Sequence, residues 1–387
     1  MEYVKLGEVA TIVNGYAFSR SKYENEGIPI VRISDIDEEI NLENCIHYPE
    51  DSLEKFEDYT IKKGSLLIAL SGATTGKMGV FVSDKVAYLN QRICSIFSNN
   101  KNLLQEYLIL YLKNLKKLIL KNSYGGAQPN ISSKWLEKID IKIPSLKKQE
   151  QIIKHLKSVK KIIELKKIQL LEIENLKKSQ FFEMFGNPIK NEKGWEKVSM
   201  DEISRLIIRG KTPKYVMDSK IGIINQACIY WEKIKFENIK YHENNEKVLN
   251  LENQDVLINS TGTGTLGRVN IFTKDKENDK VYTIDTHVTL VRLKKEKVNS
   301  IYLKNFFRVP IVQEYLMSRC VNGSTNQIEL SKEKFKKFRV LLPPLELQNK
   351  FATRIEAIQK LKFEIEKSLK ETENLYNSLM QKFFSNK

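Results

Sequence analysis

The sequence predicts an α+β chain with an internal pseudo-two-fold repeat, in which two mixed α/β units are each followed by a long helix. Three observations lead there. Residues 128–185 align without a gap onto residues 327–384 at a constant offset of 199, and 14 of the 58 pairs are identical, among them Ser132/Ser331, Pro144/Pro343, Leu146/Leu345 and Gln149/Gln348. Upstream of each copy the same order of short apolar runs recurs, with an offset that drifts between 190 and 199. After each proline the pattern changes to apolar residues in steps of four and three.

In the first unit, residues 6–13 and 28–33 read as short strands, or as a short helix followed by a strand. SLLIAL at 65–70 is a strand bounded by Gly64 and Gly72, and 80–82 and 93–97 read as further strands. Residues 103–120 have helical spacing, and 139–143 alternate like an edge strand that ends at Pro144. The second unit repeats this order. Trp195 matches Tyr3, Gly210 matches Gly15, 221–224 match 28–31, 256–260 match 66–70, 288–291 match 93–96, and Tyr302 and Leu303 match Tyr107 and Leu108.

The helices follow. Ile152, Leu156, Val159, Ile163, Leu170 and Ile173 form the seam of the first, and Phe351, Ile355, Ile358, Ile365 and Leu369 share its register in the second. Such a seam belongs to a coiled coil and needs a partner helix. Residues 149–185 contain no proline or glycine, so 37 residues at 1.5 Å each make a rod of roughly 55 Å. Pro144 and the Pro343–Pro344 pair precede the helix starts, and Gly186, Asn187 and Pro188 stop the first helix. The expected domains are 1–145, 146–187, 188–344 and 345–387. The gapless helices beside drifting α/β parts suggest that helix length is constrained.

At 387 residues, with 41% hydrophobic and 29% charged side chains, the chain suits two or three soluble domains. It has no apolar run of membrane length and no secretion signal, so a cytoplasmic protein is expected. Cys45, Cys94, Cys228 and Cys320 are far apart, which suits reduced thiols, and with four scattered histidines no metal site is expected. The net charge of +16 is uneven: residues 1–145 carry 18 basic and 18 acidic groups, whereas 186–344 carry 28 and 19. Such a surplus suggests a polyanionic partner through counterion release, with a merely lysine-rich composition as the alternative. Ten acids crowd between Asp35 and Asp58.

Two glycine loops are near misses for cofactor sites. GTGTLG at 262–267 is followed by a strand pattern instead of the helix that a dinucleotide or methyl-donor site needs. GATTGK at 72–77 has too short a glycine spacing for a phosphate loop. Both read better as matching strand–loop–strand tips of small hydroxyls and one cation: Ser71, Thr74, Thr75 and Lys77 in one, Thr261, Thr263, Thr265 and Arg268 in the other. Close backbone approach to phosphates or base edges suits that chemistry, and a plain hairpin turn is the alternative. A second loop pair carries Tyr124, Gln128 and Asn130 against Thr325, Asn326 and Gln327, amides suited to adenine edges, or simply a solvated loop. Gln91 and Arg92 pair with the loop of His287. Arg209, Lys211, Lys214 and Tyr215 form a basic-aromatic loop opposite 14–22, which holds Arg20 and Lys22; Arg32, and Asn225 with Gln226, follow matched strands. No catalytic constellation stands out: there is no Asn/Asp-Pro-Pro-aromatic tetrapeptide, no Ser/His/Asp set and no nuclease-like acid cluster.

Four short stretches then carry a resemblance: VKLGEV at 4–9, SGATTG at 71–76, LNQR at 89–92 and PPLELQ at 343–348, just before the second helix. In this order, over a chain written twice, the sequence resembles the specificity subunit of type I restriction–modification systems. The resemblance implies two target recognition domains, each reading one half of a split double-stranded DNA site. It implies two long antiparallel coiled-coil helices that set the unread spacer. Two methyltransferase subunits and restriction/translocase subunits would be the partners, holding S-adenosylmethionine, ATP and Mg, with no catalysis and no cofactor on this chain. The competing readings are a coiled-coil scaffold for other proteins and a fused methyltransferase-nuclease.

Overall fold

The computed structural model describes residues 3–72, 74–123, 130–244, 248–274, 280–323 and 328–384. It divides into two compact units, residues 1–166 with 368–387 and residues 167–367, so both boundaries fall inside the long helices. Those helices are Leu146–Phe185 and Leu345–Phe384, 40 residues each, and their first residues are the repeat partners Leu146 and Leu345.

Unit 1 is built on an antiparallel sheet in the order Ala10–Asn14, Ile93–Ser98, Leu66–Ala69, Met78–Val80. The central strand reads as a continuous apolar run because both of its faces are covered. Leu66 and Ile68 join one core, and Leu67 and Ala69 the other. The second core lies towards a three-stranded sheet in which Ile28–Val31 pairs antiparallel with Ile46–Tyr48 and parallel with Tyr88–Leu89. The opening residues settle as the short helix Leu6–Val9 followed by a strand. The helix expected over 103–120 is broken: Gln105–Asn114 and Lys116–Lys121 meet at Leu115, a buried residue with ψ near 3°. The edge strand before Pro144 is Asp140–Lys142, paired with Tyr3–Lys5.

Unit 2 follows the same plan. Its sheet runs Ser204–Arg209, Val288–Leu293, Val256–Asn259, Val269–Ile271, and a second sheet holds Ile221–Ile224 between Lys240–His242 and Val281–Ile284. Val256 and Ile258 face one core and Leu257 the other. The helix Ser300–Arg308 packs beside this sheet, as Gln105–Asn114 does in unit 1.

The long helices pack antiparallel within each unit. In unit 1, Ile152 and Leu156 share a core with Met380 and Phe384, and Lys166 Nζ donates to Ser368 Oγ. In unit 2, Phe181 and Phe185 stack their edges on Phe351, Arg354 donates to Gln180 at 2.7 Å, and Lys362 binds Glu174 at 2.7 Å. Every seam residue is buried or half-buried, from Phe351 at 0% exposure to the half-buried Val159, Leu170, Ile358, Ile365 and Leu369.

The identity of Gln149 and Gln348 has a physical reason. Both are fully buried at the foot of a long helix. Gln149 accepts from Leu104 N at 2.9 Å and donates to Asn102 O and Pro144 O, each at 2.8 Å. Gln348 accepts from Asn299 N at 2.9 Å and donates to Lys297 O at 3.2 Å and Pro343 O at 2.8 Å. Each amide thus satisfies the loop before a domain helix and ties that loop to the start of the long helix.

Candidate nucleic-acid interface

The same backbone bonds bring the predicted loops to one end of the main sheet in both units. In unit 1, Gly15 N donates to Ile93 O, Asn90 N to Val31 O, Leu70 N to Arg92 O and Ile131 N to Leu70 O, while Ser71 bridges Asn130. In unit 2, Gly210 N donates to Val288 O, Asp285 N to Ile224 O, Ser260 N to His287 O and Leu330 N to Ser260 O, while Thr261 bridges Glu329. Two matched glycines permit this crowding. A Cβ on Gly15 would sit 2.0 Å from Asn90 O, and one on Gly210 would sit 2.2 Å from Asp285 O.

This shared frame makes the unit positions equivalent pair by pair, and the side chains differ at most of them. Ser71 stands for Thr261, Arg92 for His287, Asn90 for Asp285, Asn130 for Glu329, Arg32 for Asn225 and Ile33 for Gln226. Of the unit 1 residues singled out, Arg20, Lys22, Gln91, Arg92 and Asn130 are exposed, and Ser71, Thr74, Thr75 and Lys77 are half-buried. Thr75 Oγ1 donates to Gly72 O at 2.6 Å, which shapes the tip. Lys77 lies 3.8 Å from Asp37. Arg32 is engaged elsewhere: its Nε donates to Asp35 Oδ2 at 3.2 Å and its Nη2 to Asp35 Oδ1 at 3.3 Å.

In unit 2, Lys211, Lys214, Tyr215, Thr263 and His287 are exposed, while Arg209, Gln226, Thr265 and Arg268 are half-buried. Thr261 Oγ1 lies 2.7 Å from His287 Nδ1 and 3.2 Å from Gln226 Oε1. With the proton on Nδ1 the relay runs from His287 through Thr261 to Gln226. Arg209 donates to Thr286 O and pairs with Glu329. Arg268 Nη2 donates to Gly264 O at 3.0 Å, and its guanidinium lies 5.3 Å from the Tyr230 ring. Lys214 pairs with Glu243 at 2.9 Å. Asn225 is buried, and its amide is spent on Ala227 N and Asn238 O, so it shapes its own loop. Tyr124, Gln128, Thr325, Asn326 and Gln327 lie outside the described residues.

Two carboxylates belong to this site that cation-seeking reasoning passed over. Burial pushes the Asp285 carboxyl above its ordinary range, against His287 N–H and the charges of Lys240 and Arg209. Glu329 partners Arg209. Glu329 stands at the repeat offset of 199 from Asn130, the signal in the sequence that points to it.

The glycine tips turn their amides inward: Gly76 N donates to Ala69 O, Gly267 N to Asn259 O and Leu266 N to Gly262 O, and strands follow both tips. Among the described residues no group of three His, Cys, Asp or Glu side chains is placed to hold a metal ion. All four cysteines are free and buried, and burial pushes Cys45 and Cys94 up to about 12 and Cys228 and Cys320 up to about 11, which leaves them as thiols. No helix among the described residues is long and apolar enough to cross a membrane.

A family model described as the type I restriction modification DNA specificity domain matches residues 1–175 and 192–373. The chain belongs to this family. The family is the one that the repeat and its four short motifs resembled. Among individual proteins, it is 30% identical over 184 residues to the MjaVIII type I restriction enzyme specificity subunit of Methanocaldococcus jannaschii, an alignment covering 46% of this chain and 43% of that one. It is 24% identical over 409 residues to the MjaX specificity subunit of the same organism, covering 97% and 92% of the two chains. The fold matches that of the type I system S subunit from M. genitalium with a TM-score of 0.56 at 14% identity, over 100% of this chain and 96% of the other.

Proposed function

We propose that this specificity-family chain reads a bipartite double-stranded DNA site, with each unit contacting one half through the loop cluster at the end of its main sheet. One observation carries the reading: the two clusters share a backbone frame and differ in the side chains they present. A shared frame sets how duplex meets protein, and the changed side chains set which base edges are accepted. In unit 2, Arg209 suits a guanine edge, Glu329 a cytosine amino group and Gln226 an adenine edge, while Lys211 and Lys214 suit phosphates. In unit 1, Arg92, Gln91 and Asn130 take those roles, with Arg20 and Lys22 on the backbone.

The long helices hold the two readers apart and dock two methyltransferase subunits, to which restriction/translocase subunits are added. Methyl transfer from S-adenosylmethionine and ATP- and Mg-dependent cleavage then belong to those partners, in the cytoplasm, and this chain supplies recognition alone.

The test is methylation-sensitive sequencing of DNA from cells carrying this chain with its methyltransferase partner. A split motif is expected, methylated on adenine in both strands. With Glu329→Gln, the half read by residues 188–344 should change its letters or lose at least tenfold in methylation, while the other half keeps its letters. A motif unaltered in both halves would contradict the assignment of that loop cluster.

A further inference from the structure

Unit 2 contains a cleft of about 1110 Å³ away from the loop cluster, between the helix Ser300–Arg308 and the two long helices. Six cations line it: Lys177, Lys233, Lys235, Lys304, Arg308 and Lys362. Three carboxylates serve them, one of which, Glu366, lies 3.9 Å from Lys362. Glu174 takes Lys362 at 2.7 Å and Lys177 at 3.2 Å, with Arg308 at 3.9 Å, and Glu232 lies 3.5 Å from Arg308. Lys304 is only 6% exposed, and its ammonium donates to Asn270 Oδ1 at 2.7 Å. Among the described residues no carboxylate lies within ion-pairing distance of it. Burial, with the charges of Arg308 and Lys177, lowers its pKa to about 8. A recessed ammonium with one neutral acceptor is costly to keep, because burial strips its hydration without supplying a counterion. Glu356 also lines the cleft, so six cations face the four carboxylates Glu174, Glu232, Glu356 and Glu366, and Lys304 is the recessed cation that none of them pairs with.

The repeat supplies a comparison within the same molecule. Unit 1 has the corresponding place, in which Lys113 stands for Arg308 and Lys160 for Gln359. There the acidic stretch of the chain comes in: Glu38 Oε2 lies 3.0 Å from Lys160 Nζ. Its loop is tied down by Val80 N donating to Glu38 O and Ile40 N donating to Val80 O, both at 3.0 Å. That partnership holds the Glu38 carboxyl below its usual range. In unit 2 the loop in that position brings Lys233 and Lys235 instead, and Lys235 lies 4.0 Å from the Tyr230 ring.

We propose that the unit 2 cleft docks an acidic peptide segment of a partner protein, whose carboxylates take the place that Glu38 takes in unit 1. The chain supplies its own acidic segment to one cleft and leaves the other cationic. A stiff duplex cannot deliver a phosphate to so recessed an ammonium, whereas an extended peptide side chain can. The cleft shares no residue with the loop cluster assigned to DNA, so the two readings stand or fall separately.

The experiment uses the full chain, a hexaglutamate peptide and a carbodiimide that joins carboxylates to amines, with the adducts mapped by mass spectrometry. Adducts are expected at Lys304 and Lys362, since the lowered pKa of Lys304 makes it the more reactive amine near neutrality. Peptide affinity, followed by fluorescence anisotropy, should fall at least tenfold in Lys304→Met and in Arg308→Gln, and stay unchanged in Lys160→Gln. Arg308 is at the cleft surface, so its variant keeps the test available if Lys304→Met fails to fold. Adducts spread over surface lysines such as Lys211 and Lys214, with none at Lys304 or Lys362, would overturn the proposal. So would suppression of the cleft adducts by inorganic phosphate at matched ionic strength, which marks a small-anion site, or by duplex DNA, which marks a nucleic-acid site.

Discussion

Two glutamines and one lysine show how single side chains are spent in this fold. Gln348 fills its acceptor and both donors from inside the core, so an isosteric apolar replacement strands Asn299 N and two carbonyls. Gln348→Leu is expected to destabilise unit 2 by about 2 kcal/mol, a buried-unsatisfied penalty, and urea unfolding would measure it. The sequence marked this residue by its identity with Gln149, and only the loop-to-helix geometry explains why. Lys304 carries a pH signature. Its folded pKa is lowered to about 8 from an ordinary 10.5. Below pH 8 both folded and unfolded chains hold the proton, so the burial penalty is fully present. Between pH 8 and 10.5 the unfolded state binds more protons, and stability rises with pH. Lys304→Met should therefore raise the melting temperature of unit 2 most below pH 8, with a gain that shrinks towards pH 10.5. A gain that grew with pH would contradict the burial of a charged amine.

The long helices were the most legible elements. Steps of four and three name the buried stripe residue by residue, because helix geometry turns local spacing directly into a face. The sheets were legible as strands and opaque as an order. Ala10–Asn14 pairs with Ile93–Ser98 across some eighty residues, and such pairing is decided by tertiary packing that no local pattern records. The repeat offset recovered part of it, since it matched Gly15 with Gly210 and the loop of Arg92 with that of His287. Side-chain commitments stayed out of reach. Arg32 stands in the sequence as one more candidate cation, yet Asp35 holds it, and Glu329, unnamed among the candidates, is held by Arg209. Equal helix length is the feature with the sharpest consequence. Inserting seven residues into both long helices, at 166/167 and 367/368, keeps the seam in register and lengthens each by about 10 Å. The unread spacer of the methylated motif should grow by about three base pairs, with both half-sites unaltered. A change in the half-site letters would show that the helices do more than set distance.

At the scale of the whole chain, the repeat separates what must stay constant from what is free to vary. Replacing residues 1–145 with the recognition domain of a relative should alter one half of the motif and spare the other, as read by the same methylation sequencing. The unequal charge distribution fits readers that are related and not interchangeable, with residues 1–145 balanced and 186–344 strongly basic. The division into units also has a temporal side. Met380 and Phe384 belong to the core of unit 1 beside Tyr107 and Tyr111, whereas unit 2 is drawn from one uninterrupted stretch. During synthesis, then, the domain that leaves the ribosome first is the last to be completed. It waits with its tyrosine face uncovered while the whole of unit 2 is made and folded. The closing turns of the second long helix act as a latch on the oldest part of the molecule, and a chain stalled before residue 380 would be recognisable to the cell's proteases by that open face.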